Sequence, residues 1–196
     1  MHQLTAPTAK PIVSAAPTSE PVTLAQAKKQ LELPTAQTDH DDHLNRLIQL
    51  AREQVESDSG VVGFATTFSA NLDTWPARYI ELYGRPLISV TSITYTDTAG
   101  SGQTLAGADY DVDLGRVAPV IWPAYGVTWP ALRDTRNAIT VTYVAGHATV
   151  GAIPEIFKQA VLAMLSREFL DREGRAGRFD DAYESLVARM RRSSYP

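Results

Sequence analysis

The segment His40-Asp41-Asp42-His43 contains the residues of this chain that most resemble a metal-binding motif. Residues three apart lie on the same face of a helix, so His40 and His43 would supply half a site at best. The remaining histidines, His2 and His147, lie far away in other segments, and the sequence offers no evident third ligand. We interpret the segment as a solvated turn at the start of a helix.

Other residues with possible chemistry give no stronger signal. Asp109, Asp111 and Asp113 alternate along one predicted strand and therefore share a face, where they form either a cation site or, as we favour, a solvated sheet surface. His147 follows a predicted strand, but no serine lies in a nucleophile-elbow pattern that would pair with it. We predict no catalytic residue, no cofactor and no metal, and thus no enzyme.

Composition limits the possible functions further. The 196 residues are 44% apolar, which suits one compact domain with appendages, and the absence of cysteine excludes disulfides and thiolate sites. A net charge of -4 does not indicate nucleic-acid binding. The sequence lacks the pattern of a secretory signal and any run of about 20 apolar residues. We therefore expect a soluble protein with no membrane contact.

The N-terminal part is predicted to be an arm followed by two helices. Residues 1–21 are rich in Pro, Thr and Ala, which predicts a flexible arm. Thr23 and Gln26 form a capping-box pattern for a short helix. Asp39 is a candidate cap for a longer helix that ends near Gly60.

Between about residues 61 and 144 the pattern changes to antiparallel β. Apolar and β-branched residues alternate with period two in three runs, at 91–95, 110–114 and 139–143. The runs at 90–96 and 103–113 flank a glycine-bearing segment that predicts a solvent-exposed hairpin tip. Its residues Asp97, Gly100 and Gly102 are candidates for contact with another protein.

Two helices are predicted at the C-terminal end. The first begins at Pro154, runs to about residue 172, and has an apolar face wide enough to be buried on most sides. Gly174 and Gly177 separate it from a final amphipathic helix. The order of the elements predicts the class α+β, with N-terminal and C-terminal helices packed with a central antiparallel β element.

The final helix is a candidate docking element. We expect its apolar stripe to be uncovered in an isolated subunit and to become ordered on a partner. Its arginines form a solvent-facing stripe, dock on an acidic protein surface, or bind phosphate, and the last option defines the alternative function of a nucleic-acid-binding module. The residues concerned are Phe179, Tyr183, Leu186, Val187, Met190, Arg189, Arg191 and Arg192.

Each of the three tryptophans, Trp75, Trp122 and Trp129, precedes a proline. The backbone before proline is biased toward extended geometry, so each large ring is held near a turn. Two interpretations are open: plugs of the core at strand ends, or anchors at an interface between subunits. Trp122 and Trp129 are the predicted anchors.

The order of these features resembles the head-to-tail connector (adaptor) family of tailed bacteriophages and related gene transfer agents. The resemblance covers roughly residues 21–173 and is carried by Pro21-Val-Thr-Leu-Ala-Gln-Ala-Lys28, Asp41-Asp-His-Leu44 continuing to Val55-Glu56, Ile80-Glu-Leu-Tyr-Gly-Arg-Pro-Leu-Ile-Ser-Val-Thr-Ser-Ile-Thr-Tyr95, Tyr110-Asp-Val, Trp129-Pro130, Ile139-Thr-Val-Thr-Tyr-Val-Ala-Gly146, and Ile153-Pro154 leading to Phe157-Lys-Gln-Ala160.

This resemblance implies a structural protein that forms a ring, twelvefold as in related particles, below the portal of the particle. Its partners would be the portal protein, neighbouring copies of itself, and a stopper or tail-terminator protein, with DNA present only as the transiting genome. The chain would be made in the bacterial cytoplasm and located in a virion or phage-like particle, between head and tail. The implied division is an arm at 1–21, a connector domain at 22–173 with a β insertion at about 61–144, and a docking helix with tail at 174–196.

Overall fold

The computed structural model describes residues 11–114, 118–170 and 177–192, with side chains described except at 177–180 and 192. The described chain forms two compact units. A β unit contains residues 11–16 and 65–146, and a helical unit contains residues 17–64 and 147–192. The class α+β is confirmed, but the assumption of one compact domain is wrong, because the sheets and the helices each have a core of their own.

The helical unit contains four helices: α1 (Leu24–Gln30), α2 (Asp41–Ser59), α3 (Glu155–Leu170) and α4 (Gly177–Arg192). A 3₁₀ turn at Val150–Ala152 precedes α3. None of the described helices is long and apolar enough to cross a membrane.

The helix boundaries show where local signals are reliable. The capping box of α1 is confirmed, because Gln26 N donates to Thr23 Oγ1 over 3.3 Å and Thr23 N donates to Gln26 Oε1 over 2.8 Å. The cap predicted at Asp39 is wrong, since His40 is the N-cap of α2 and makes no side-chain cap hydrogen bond. Asp41 and Asp42 instead lie in the first turn, where the helix dipole favours negative charge.

The core of the helical unit combines residues from both of its chain segments, 17–64 and 147–192. As predicted, α3 is the most buried helix, with an apolar face that spans much of its circumference. Its large side chains pack with those of α2 and α4 in one cluster of buried residues, formed by Val22, Ala27, Leu47, Ile48, Ala51, Val55, Val61, Ile153, Phe157, Ala160, Val161, Met164, Leu165, Tyr183, Val187 and Met190.

The β unit contains two antiparallel sheets. The larger sheet has the order β1-β2-β8-β4-β5, and the smaller has the order β3-β7-β6. Burial alternates with period two along β2 and β8, as expected for strands with one covered face. The strands are β1 (Ile12–Ala15), β2 (Thr66–Leu72), β3 (Ile80–Glu81), β4 (Leu87–Thr96), β5 (Gly102–Thr104), β6 (Tyr110–Asp113), β7 (Val120–Pro123) and β8 (Ile139–Ala145).

Two sequence predictions about the β unit need correction. The run predicted at 103–113 is two strands, β5 and β6, which belong to different sheets because a turn closed by Asp109 N and Ala106 O separates them. The arm predicted through Pro21 is wrong at Ile12–Ala15, which pair with β2 as an edge strand. All four β1 residues are exposed, so only backbone pairing forms this strand. A strand without a buried face has no alternation of apolar and polar residues by which the sequence could predict it.

A buried lysine joins α1 to the start of α2. Lys28 is only 4% exposed, and its Nζ lies 2.5 Å from Asp41 Oδ1. The same ammonium donates to the carbonyl oxygens of Thr35 at 3.2 Å and Gln37 at 2.6 Å. A buried charge of this kind is tolerated because its donors are satisfied.

Replacing this lysine tests the interpretation. Lys28→Met removes the ion pair and leaves two carbonyls without their donor, so we expect a loss of about 2 kcal/mol in the free energy of unfolding. Thermal and urea unfolding measure the change. Lys29→Met on the same helix is the matched control because Lys29 is exposed, and equal stabilities of the two variants would contradict the role assigned to Lys28.

Candidate functional site

The two histidines at the start of α2 pack against a phenylalanine of α3. The rings of His40 and His43 lie 6.0 Å and 6.2 Å from the ring of Phe169, measured between centroids. Both rings are half-buried, so the predicted solvated turn is a packed one. Within the described part of the chain no group of three or more His, Cys, Asp or Glu residues is placed to hold a metal.

The three aspartates lie at or next to β6, whereas His147 follows β8. Asp111 is exposed on β6 and Asp113 is half-buried, while Asp109 precedes the strand and accepts a hydrogen bond from Ala124 N at its carbonyl oxygen. Burial lowers the pKa of His147, which keeps its imidazole uncharged at neutral pH. Its Nε2 has no hydrogen-bond partner among the described residues.

The predicted hairpin tip is present between β4 and β5 and is held by one carboxylate. Asp97 Oδ1 accepts from the backbone N–H groups of Ala99 and Ser101, each over 2.9 Å, and Oδ2 accepts from Gln103 Nε2 over 2.8 Å. The hydrogen bond from Gln103 and that from Ser101 N lower the pKa of Asp97. Asp97 therefore organises the tip, and its predicted role as a direct contact stays a prediction.

The two glycines of the tip have different roles. Gly100 has a φ of +88°, and a Cβ added there would collide with the guanidinium of Arg133. Gly102 has no atom within 4 Å of an added Cβ. Positive φ favours glycine, so Gly100 is required by the turn, whereas Gly102 tolerates a side chain.

This difference is testable with a matched pair of variants. We expect Gly100→Ala to lower the free energy of unfolding by about 1 kcal/mol, because alanine is strained at this φ and Arg133 must move. Gly102→Ala is expected to leave stability unchanged. Thermal unfolding and amide exchange at Ala99 and Ser101 report the effect, and an equal response to both substitutions would count against it.

The tryptophans pair with other aromatic rings of the β unit. Trp75 and Trp129 stack with centroids 4.7 Å apart and an interplanar angle of 7°, and Trp75 Nε1 donates to Pro130 O over 2.8 Å. Trp122 lies 4.8 Å from Tyr79 between centroids. All three tryptophans are half-buried, which supports the core interpretation, and the interface role of Trp122 and Trp129 stays a prediction.

Several exposed residues with a potential for contact were missed by the sequence analysis. Tyr125 is fully exposed beside Gly126, and Ile12 and Val13 are 62% and 53% exposed on β1. Exposed aromatic and β-branched side chains are typical of protein interfaces. The available signals were a tyrosine in a glycine turn and a β-branched pair after Pro11.

The apolar stripe of the final helix is covered within the chain. Tyr183, Val187 and Met190 are 3%, 3% and 1% exposed, and Leu186 is partly buried against the same core. The expectation that this stripe is open in the isolated subunit is therefore wrong. The side chains of Phe179 and Arg192 lie outside the described residues.

Polar contacts reinforce the packing of α4 on α2. Tyr183 Oη donates to Asp58 Oδ2 over 2.5 Å, and Arg191 Nε donates to Asp58 O. Burial, followed by the hydrogen bond to Asp58, raises the pKa of Tyr183. Arg189 and Arg191 remain exposed and are the predicted docking residues whose described side chains face solvent.

Comparison with known proteins identifies the fold. No protein-family model and no curated protein matches the chain. Among solved structures, a chain from the neck of the empty gene transfer agent particle, computed with C6 symmetry, has a TM-score of 0.79 at 20% identity, over 95% of this chain and 97% of that one.

Two further structures agree. A chain from the virion of the native gene transfer agent particle has a TM-score of 0.79 at 19% identity, over 95% of this chain and 97% of that one. A chain from the neck of the native particle, computed with C12 symmetry, has a TM-score of 0.71 at 19% identity, over 94% and 97%. The fold is thus shared, across nearly the full length of both chains, with a protein in the neck of a gene transfer agent particle.

The burial of α4 predicts the effect of truncating its core residue. Met190→Ala is expected to lower the free energy of unfolding by about 2 to 4 kcal/mol, because it opens a cavity in a packed core. Arg189→Ala, one residue away and exposed, is expected to have almost no effect. Unfolding of the purified protein without any partner provides the measurement, and an unchanged stability of Met190→Ala would restore the idea of an uncovered helix.

Proposed function

We propose that this chain is a structural head-to-tail connector subunit that forms a ring, binds the portal and links the head to the stopper or tail. The observation that carries the proposal is the fold shared with chains from the neck of a gene transfer agent particle over 94% to 95% of the sequence. The resemblance of residues 21–173 to the connector family supports it as well, because short strings of residues carry that resemblance. The function requires no catalytic group and no cofactor.

Twelve subunits are the proposed stoichiometry. The neck of the native particle was computed with C12 symmetry and that of the empty particle with C6 symmetry. Sixfold symmetry is contained in twelvefold symmetry, so both descriptions are compatible with twelve copies. A closed ring uses heterologous contacts, in which two different surfaces of each subunit meet.

The portal is proposed to contact the exposed face of α4. The opposite face is committed to the core of the helical unit through Tyr183, Val187 and Met190. Docking therefore relies on exposed side chains, of which Arg189 and Arg191 provide positive charge. Complementary charge at a protein interface increases the rate of association and fixes orientation.

The proposed location is the portal vertex of a virion or phage-like particle, between head and tail. There the ring would extend the channel through which the genome passes. The net charge of -4 suits such a channel, because strong phosphate binding would retard the moving DNA.

The experiment is mass photometry of the full chain, alone and mixed with the cognate portal protein. A connector is expected to add many copies to one portal oligomer. A chain that stays monomeric with the portal and binds duplex DNA with a steep dependence on salt would instead support the nucleic-acid-binding alternative.

Charge reversal tests the docking surface. Arg189→Glu is expected to reduce portal association at least tenfold at low salt, because it places like charge against an acidic surface. Arg46→Glu is the control, as it makes the same change at an exposed position on α2. Equal portal binding by both variants would exclude α4 as the docking face while leaving the connector function intact.

A further inference from the structure

The larger sheet ends in two strands that are open on their outer sides. In the described part of the chain, β1 and β5 are the outermost strands of this sheet. All four residues of β1 and all three residues of β5 are exposed. An open strand edge presents backbone N–H and C=O groups that pair readily with another strand.

The β1 edge is also apolar on both of its faces. Adjacent residues of a strand point to opposite faces, so Ile12 and Val13 extend from different sides of the sheet. Their exposures of 62% and 53% show that the described residues leave both sides largely open.

Two of the features that usually prevent pairing are missing from both edge strands, which are nonetheless short, and the register of β1 shifts between Val13 and Ala15. Soluble proteins protect open edges with charged residues or proline, and β1 (Ile-Val-Ser-Ala) and β5 (Gly-Gln-Thr) contain none. Both edges are therefore suited to accept a strand.

The polarity of the two edges indicates the partner. Four antiparallel pairings separate β1 from β5, so the two strands run in the same direction. A second copy that continues the sheet with the same polarity places its β1 beside β5 as a parallel neighbour. The strands are also similar in length, at four and three residues.

We propose that β1 of one subunit pairs in parallel with β5 of the next, so that the sheet continues from subunit to subunit. In a closed ring this pairing occupies every β1 edge and every β5 edge, and it covers the apolar side chains of β1. The inference rests on the proposed ring-forming function and names the strands that build the ring contact. Pairing of β1 with β1 would instead give a twofold dimer that cannot continue.

Cysteine cross-linking provides the test, because the natural chain has no cysteine. Two double variants are made, Val13→Cys with Gln103→Cys and Val13→Cys with Thr104→Cys. Gln103 and Thr104 point to opposite faces of β5, so one of the two pairs shares a face with Val13. After assembly with the portal protein and mild oxidation, that variant is expected to give a ladder of cross-linked oligomers that disappears on reduction.

The control variant combines Val13→Cys with Glu81→Cys, since Glu81 is exposed on β3 of the other sheet. It is expected to give no ladder.

Particles that assemble without a ladder in either test variant would overturn the strand pairing and leave the connector function standing. Dimers formed by Val13→Cys alone would show β1–β1 pairing and also overturn it. If no multi-subunit particle and no ladder form, both proposals fail, whereas a ladder without portal association removes only the connector role.

A charge variant gives an independent readout. Ile12→Lys with Val13→Lys introduces charge at an exposed edge, so the melting temperature is expected to be unchanged while multi-subunit particles are lost. The control is Ile88→Lys, at a position 42% exposed on β4 of the same sheet. Normal assembly of the double lysine variant would contradict the proposal.

Discussion

The helical unit depends on close packing between the ring of Phe157 and the backbone of Gly63. Phe157 is fully buried at the start of α3, and a Cβ on Gly63 would lie 2.7 Å from its Cε1 atom. Only glycine leaves room for the ring at this distance. Gly63 O accepts a hydrogen bond from His147 N, and Gly63 N donates one to Glu56 Oε1. The first of these bonds joins the point where the chain leaves the helical unit to the point where it returns. This contact joins the loop after α2 to the start of α3, the helix that packs against both α2 and α4.

A buried ionic network stabilises the same region. Arg52 is 7% exposed and bonds Glu20 Oε2 at 2.9 Å and Glu56 Oε2 at 3.0 Å. Burial raises the pKa of Glu56, while the hydrogen bond from Gly63 and the charge of Arg52 act in the opposite direction. A buried carboxylate is costly unless it is paired in this way. The network therefore links residue 20, the middle of α2 and the loop after α2 through ion pairs and a hydrogen bond.

The division between covered and open surfaces follows from these contacts. In the helical unit the apolar side chains of α4 are part of the core, and charged side chains face solvent. In the β unit the opposite holds at β1, where β-branched residues are open on an unpaired edge. The proposed strand pairing and the proposed docking through charged residues therefore need no uncovered apolar face on α4.

The sequence by itself determined the features that depend on neighbouring residues. The capping box at Thr23 and the hairpin held by Asp97 arise from contacts within a few residues, so the sequence alone predicts them. The alternation along β8 is likewise a local pattern of residue types, although distant strands form the sheet around it. The tertiary structure alone decided the pairing of β1, the split of 103–113 between two sheets and the burial of α4. Each of these depends on segments far apart in sequence, and an amphipathic stripe has the same pattern whether its own chain or a partner covers it. The physical reason is that periodicity records which face is apolar, whereas long-range packing selects what that face contacts.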